Sequence, residues 1–427
     1  MKILIKNGLI VDPSQKIKKI MNLEINNGVI SNLHIRKNVN YEKFDEVIDA
    51  KGFIVAPGLV DIHVHLRDPG LKHKETISSG SRAAAAGGFT SIACMPNTSP
   101  ANDKPQITKY IMDKSNKAGM VNIFPIGAIT QGLNNLKLAK IEENIEAGCV
   151  GISDDGFPVT NSKLLFNAMN LAKKNSFPVI SHCEDCSFSE GGVANEGKFS
   201  RKYRLIGIPN ISEELGIIKD IAVAEYTNAH LHVCHVSTLN SVKIIKEAKA
   251  RGVVVTCEAT PHHFSISEDD IMNCDTNYKM NPPLRSMQDV KAIEKGLIEG
   301  VIDVIATDHA PHAESEKRMS FKNAPFGIIG LETALPLSLK LVHDKKISIS
   351  KLISLMSTRP SEIINIPKGS LKKGLDADLV IFDMNKTVVV DKNKMHSKSK
   401  NTPFNGIKLK GKVIRTILKG KTVYSSN

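Results

Sequence analysis

Short apolar runs that stop abruptly at polar or turn residues recur along this chain, and their repetition sets the expected fold. Residues 53–60 lead into Asp61-Ile62-His63-Val64-His65-Leu66-Arg67-Asp68, and residues 89–95 into Pro96-Asn97. Residues 121–129 stop at Thr130, 149–153 at Asp154-Asp155-Gly156, and 178–181 at His182. Residues 232–234 run into His235, 253–256 into Cys257-Glu258, and 301–307 into Asp308-His309-Ala310-Pro311-His312. Rich in branched residues and too short for buried helices, these runs read as strands. Helix-compatible segments fill the intervals, among them 76–86, 162–174, 213–227, 239–250 and 289–299. Eight strand-then-helix units predict an α/β protein, a (β/α)8 TIM-like barrel with its site at the C-terminal ends of the strands.

The two ends of the chain follow another pattern. Residues 1–54 and 366–427 carry short alternating runs broken by turn residues, as in Leu23-Glu24-Ile25-Asn26-Asn27-Gly28-Val29-Ile30. They are expected to pair into one small composite β-domain beside a barrel spanning 55–365. A barrel of about 250 residues plus such accessory segments accounts for the 427 residues. The start alternates like a strand and lacks the apolar core of a signal peptide. No apolar stretch approaches membrane-spanning length. A cytoplasmic protein with no membrane partner is expected.

Charge changes this picture little. Lys and Arg total 57 against 44 Asp and Glu, a net charge of +13, with a Lys-rich stretch at 392–412. The basic residues are scattered, Trp is absent and aromatics are 5%, so a solvated surface is favoured over nucleic-acid binding. The surplus mildly favours anionic substrates. Seven scattered cysteines point to reduced, buried thiols. The C-x-x-C at Cys183-Glu184-Asp185-Cys186 has no second pair nearby and reads as chance.

Side chains alternate along a strand, so His63 and His65 project to one side and can chelate one divalent metal. A lone His-x-His is more often two unrelated histidines; here other strand ends offer matching partners. Arg67, two residues further, is expected on the same strand face, where a guanidinium can bind a carboxylate bidentately. A salt bridge to Asp61 or Asp68 is the alternative.

Larger motifs surround these residues. They are Gly58-Leu59-Val60-Asp61-Ile62-His63-Val64-His65-Leu66-Arg67-Asp68-Pro69-Gly70, Met95-Pro96-Asn97-Thr98, Ser153-Asp154-Asp155-Gly156, Ser181-His182-Cys183-Glu184-Asp185 and Cys234-His235-Val236-Ser237. Thr260-Pro261-His262-His263, Asn281-Pro282-Pro283-Leu284-Arg285, Thr307-Asp308-His309-Ala310-Pro311-His312 and Pro325-Phe326-Gly327-Ile328-Ile329-Gly330-Leu331-Glu332 follow. In these motifs, which cover most of the chain in family order, it resembles the cyclic amidohydrolases of the amidohydrolase superfamily. The resemblance is closest to the class I dihydroorotases of the bacterial single-enzyme type.

That resemblance implies two Zn2+ per subunit, with His63, His65 and Asp308 on the first, His182 and His235 on the second, and Asp155 as the bridge. Such N/O ligands also suit manganese, cobalt or nickel. Asp154 is the rival bridge; Asp155 is preferred because its place before Gly156 matches the motif. Related hydantoinases, dihydropyrimidinases and allantoinases bridge with a carboxylated lysine, and residues 151–156 hold none. Asp308 is implied as ligand and catalytic proton shuttle, with His309 orienting neighbours. His65, Arg67, Asn97, Asn281, His312 and the backbone at Phe326 and Gly327 are implied for substrate binding, whereas His262 and His263, also in a family motif, read as structural or as supporting the residues that line the site.

The implied reaction is reversible hydrolysis of (S)-dihydroorotate to N-carbamoyl-L-aspartate, in pyrimidine synthesis. One alternative is an allantoinase- or hydantoinase-like enzyme, opposed by the missing lysine and by Arg67. Another is a non-catalytic dihydroorotase-like subunit of aspartate transcarbamoylase, opposed by the intact ligand set. A homodimer and association with aspartate transcarbamoylase are the partner arrangements left open. The polar segment 313–323 reads equally as a lid or as an ordinary exposed loop.

Overall fold

The computed structural model describes residues 1–35 and 39–426. Eight parallel strands form the barrel: β1 (Leu59–Val64), β2 (Phe89–Cys94), β3 (Asn122–Pro125, resumed as Gly127–Ala128), β4 (Ile152–Ser153), β5 (Val179–Ser181), β6 (Leu231–Val233), β7 (Val255–Ala259) and β8 (Val304–Ile305). They pair in chain order. A bridge from Val64 to His309, just past β8, closes the ring. Val60, Ile62, Ala93, Ile180, Val304 and Ala306 belong to one buried cluster; strands on opposite sides of a closed barrel meet only inside it.

A helix follows each strand in the outer ring: Ile77–Ala86, Pro105–Ala118, Ile141–Glu146, Ser162–Lys174, Asn210–Thr227, Leu239–Ala250, Met287–Glu299 and Ala334–His343. The hydroxyl or amide oxygens of Thr76, Asn161, Thr238 and Ser286 accept from first-turn N–H groups and set those starts. No helix among the described residues is long and apolar enough to cross a membrane.

The chain ends build an eight-stranded sheet, five strands from the N-terminal segment and three from the C-terminal one. Its seam is Ile54–Pro57, parallel to Lys2–Asp12 and antiparallel to Leu379–Val389. The run at 53–60 is therefore two strands in two sheets, divided at Gly58, where a Cβ would meet Thr90 Oγ1 at 2.0 Å. An unbroken apolar run hid that division. The hairpin joining Ile17–Asn26 to Val29–His34 turns through Asn27 and Gly28, at φ 51° and 82°, the left-handed pair a tight two-residue turn requires.

The C-terminal segment also returns to the barrel. Val390 and Phe404 pack with Met280, Leu284, Ile328 and Leu337, and Asn401 Nδ2 donates to the carbonyls of Ala310 and Gly327 at 3.0 Å. The 313–323 segment holds a short helix, Glu314–Lys317, and buries Lys317 and Phe321. Cys183 is buried and Cys186 exposed; neither forms a disulfide.

Candidate active site

The strand ends converge on Asp155. Its carboxylate lies 3.4 Å from His63 Nε2, 3.4 Å from His65 Nε2, 3.8 Å from His182 Nδ1 and 3.7 Å from His235 Nε2. Asp308 Oδ1 stands 3.0 Å from His65 Nε2 and 3.6 Å from His63 Nε2. Six side chains from β1, β4, β5, β6 and β8 thus meet in one buried cluster. Asp154, the neighbouring carboxylate, turns away: it accepts from the N–H groups of Ile129 and Thr130 at 2.7 and 3.1 Å and from the Thr130 hydroxyl.

The far sides of the imidazoles decide what the near sides can do. His63 Nδ1 meets Glu258 Oε1 at 2.5 Å, His65 Nδ1 meets Asn97 Oδ1 at 2.8 Å, and His182 Nε2 meets Glu184 Oε2 at 2.8 Å. Each oxygen takes the N–H on that side, so the nitrogen aimed at the cluster is the one that offers a lone pair when a cation displaces its proton. Burial lowers the His63 imidazole, but the Glu258 and Asp155 carboxylates outweigh it and raise that ring well above its ordinary value. His63 Nε2 and Asp155 Oδ1 are buried without a hydrogen-bond partner. Burial pushes the Asp155 carboxyl up, but the imidazoles of His63, His235 and His65 hold it well below the usual range. Asp308 is likewise held below its ordinary value, burial being outweighed by the His65 hydrogen bond and by His63. Lone-pair nitrogens, ionised carboxylates and orphaned buried atoms are what a divalent cation accepts. Two subsets bring their ligand atoms within 4.8 Å of one another, His63–His65–Asp308 and His63–Asp155–His235.

A cleft of about 400 Å3 opens over the cluster, walled by His65, Arg67, Asn97, Asn281, His312 and the Pro325–Phe326–Gly327 stretch, among others. Arg67 does not reach it along the strand, as expected from alternation. β1 ends at Val64, and Arg67 enters through a left-handed turn at φ 58°. Its Nε donates to Pro311 O and its Nη2 faces His312 Nε2, both at 3.3 Å. Burial and the Arg67 guanidinium push the His312 imidazole down to about 2, so that ring is neutral. Asn97 spends its amide on His65 and on the Asp155 carbonyl, and Asn281 Nδ2 donates to Glu184 at 2.9 Å. Gly327 sits at φ 136° with the Ala310 carbonyl 2.7 Å from where a Cβ would be, so a side chain there would close the wall. Asp308 and His235 also hold left-handed backbone, at φ 46° and 30°, strain of the kind that gathers at working sites.

Glu258 and Glu184 were not among the residues expected from sequence. Glu258 contacts His63, His232 Nε2 at 3.1 Å and the His235 N–H at 3.3 Å; its place at the end of the seventh apolar run was the available signal. His263 is structural, bonded to Thr260 Oγ1 and Pro282 O. His309 Nδ1 accepts from the Gly330 N–H, and its carbonyl accepts from the His65 N–H.

This barrel and cleft have known counterparts. The L-hydantoinase (dihydropyrimidinase) of Arthrobacter aurescens superposes with a TM-score of 0.87 at 26% identity, over 99% of this chain and 96% of that one. The dihydropyrimidinase of Brevibacillus agri gives 0.83 at 22%, over 100% and 95%. Residues 329–424 match the amidohydrolase family, so the class is a barrel amidohydrolase, a metal-dependent one by its family and its donor set. Residues 52–241 match the dihydro-orotase-like family. The dihydroorotase of Geobacter metallireducens is 49% identical over 99% of this chain and 100% of its own, and that of Syntrophus aciditrophicus 46% over the full length of both. The chain belongs to the dihydroorotase family.

Proposed function

We propose that this protein is a dihydroorotase, hydrolysing (S)-dihydroorotate reversibly to N-carbamoyl-L-aspartate in the third step of de novo pyrimidine synthesis, in the cytoplasm. One observation carries the reading: the buried guanidinium of Arg67 lies on the same cleft as the histidine–carboxylate cluster. Its hydrogen bonds go to the neutral Pro311 carbonyl and His312 ring; a neutral substrate ring adds no countercharge, and a buried charge without one is costly. The carboxylate of dihydroorotate supplies the partner. Asp155, standing where no lysine is available, supports the same choice.

His63, His65 and Asp308 would hold one zinc ion, His182 and His235 a second, and Asp155 both; when bound, the pair supplies an activated water and polarises the ring carbonyl. The side chains do the rest. Ionised Asp308 accepts a proton from the attacking water and returns it to the ring nitrogen as the amide bond breaks. Asn97 and Glu258 keep the rings of His65 and His63 oriented, and Glu184 with Asn281 does so for His182. The catalytic unit is the barrel, residues 58–365, and the terminal sheet with its returning 390–405 segment is its scaffold.

Metal-loaded protein is expected to open dihydroorotate and to close N-carbamoyl-L-aspartate. Its kcat/KM for dihydroorotate should exceed that for hydantoin, allantoin or dihydrouracil roughly 30- to 1,000-fold, the equivalent of about 2–4 kcal/mol for the charge pair. Chromatography of the carbamoyl products measures all four. Preference for a neutral ring would make it hydantoinase-like, and inertness toward every ring would leave a non-catalytic role. Arg67→Met should raise KM for dihydroorotate by a comparable factor with metal content unchanged. Normal KM in that variant removes Arg67 from substrate recognition.

A further inference from the structure

Two lysines near the cleft have no place in the mechanism above. Lys317 and Lys279 are both buried, and burial pushes their amino groups down, to about 7 and about 8. Their hydrogen bonds go to backbone carbonyls. Lys317 Nζ donates to Lys279 O at 3.2 Å, Pro325 O at 3.0 Å and Gly327 O at 3.1 Å. Lys279 Nζ donates to Phe321 O at 2.7 Å and Lys322 O at 3.1 Å, and stands 4.6 Å from the centre of the Phe326 ring. The Gly327 N–H returns to Lys279 O at 2.9 Å. The two amino groups thereby grip both ends of the 321–327 loop, whose residues 325–327 form part of the cleft wall. Burying amines is expensive, and surface lysines would serve solubility as well, so the expense is tied to what the grip holds.

We propose that Lys317 and Lys279 are positioning residues for substrate, clasping the 321–327 loop so that the Phe326 and Gly327 backbone is fixed against the ring before it arrives. The inference rests on the dihydroorotase reading for the identity of that ring, and on geometry alone for the clasp. Preorganised wall groups lower the ordering cost of binding, so loosening the loop weakens binding more than chemistry.

The test uses metal-loaded enzyme carrying Lys317→Met, which keeps the apolar stem and removes the donors. Without substrate, amide hydrogen exchange in 321–327 should quicken about tenfold or more, as expected for loss of hydrogen bonds of ordinary strength. KM for dihydroorotate should rise about tenfold, kcat should stay within about threefold, and metal content should be unchanged. Lys279→Met, releasing the other end, carries the same expectations if Lys317→Met fails to fold. Unchanged exchange overturns the clasp; quicker exchange with unchanged KM, or a loss confined to kcat, overturns its role in binding. If the parent enzyme does not act on dihydroorotate, the substrate reading fails alone, and the exchange measurement still decides the clasp.

Discussion

Asp155→Ala is expected to lose at least one of the two metals proposed for the site and to lower turnover about 1,000-fold or more, a loss of about 4 kcal/mol or more of transition-state stabilisation. Its carboxylate is within 3.8 Å of four imidazoles, and no other carboxylate in the cluster reaches both histidine pairs. Asp308 approaches His63 and His65 only. Alanine would leave His182 and His235 facing each other at 2.9 Å with no anion between them and the β1 pair. Asp154→Ala provides the contrast. That variant leaves the Ile129 and Thr130 N–H groups without their acceptor, which costs about 1–3 kcal/mol of stability, yet it should keep its metals and measurable activity. Metal stoichiometry, melting temperature and rate on both variants decide the matter. An inactive, metal-poor Asp154→Ala beside a working Asp155→Ala would reverse the assignment.

Much of the barrel is legible as a rhythm of residues, because each unit carries its own local signals. The helices Ser162–Lys174 and Leu239–Ala250 start where the chain places Asn161 and Thr238, residues whose side chains cap them. The clustered histidines and aspartates stand within a few residues of the ends of apolar runs, with His182, His235 and Asp308 immediately past them, the place where barrel strands present their chemistry. What was not legible depends on contacts between distant segments. Gly58 parts two sheets inside one apolar run, and nothing local distinguishes the strand that pairs with Leu379–Val389 from the one that pairs with Phe89–Cys94. Glu258 gains its role only because β7 lies beside β6 and its side chain reaches His63 on β1. Lys317 falls in the 313–323 segment, which in sequence reads equally as a lid or an exposed loop, and nothing local marks Lys279; only the folded loop buries both. Arg67 reaches the cleft by a left-handed turn, a backbone feature that strand alternation does not encode.

Asp308→Asn should leave substrate affinity within about threefold of the parent while lowering kcat roughly 100- to 10,000-fold, the usual worth of a positioned proton carrier. The amide is nearly the same shape and keeps an oxygen to face His65 and His63, but it cannot take up a proton from water and pass it to the leaving nitrogen. His312, the titratable ring on the cleft wall outside the proposed metal ligands, is held neutral and is engaged with Arg67 and Lys74, so it is poorly placed to substitute. Because the overall equilibrium is a property of substrate and product, ring opening and ring closure must lose kcat/KM by the same factor. Measuring both directions on one preparation therefore checks that the loss is in the catalyst rather than in the assay. Metal analysis separates the two duties assigned to Asp308. A variant that keeps both metals and still turns over within tenfold of the parent removes Asp308 from proton transfer, whereas one that loses metal in proportion to rate makes it a ligand first.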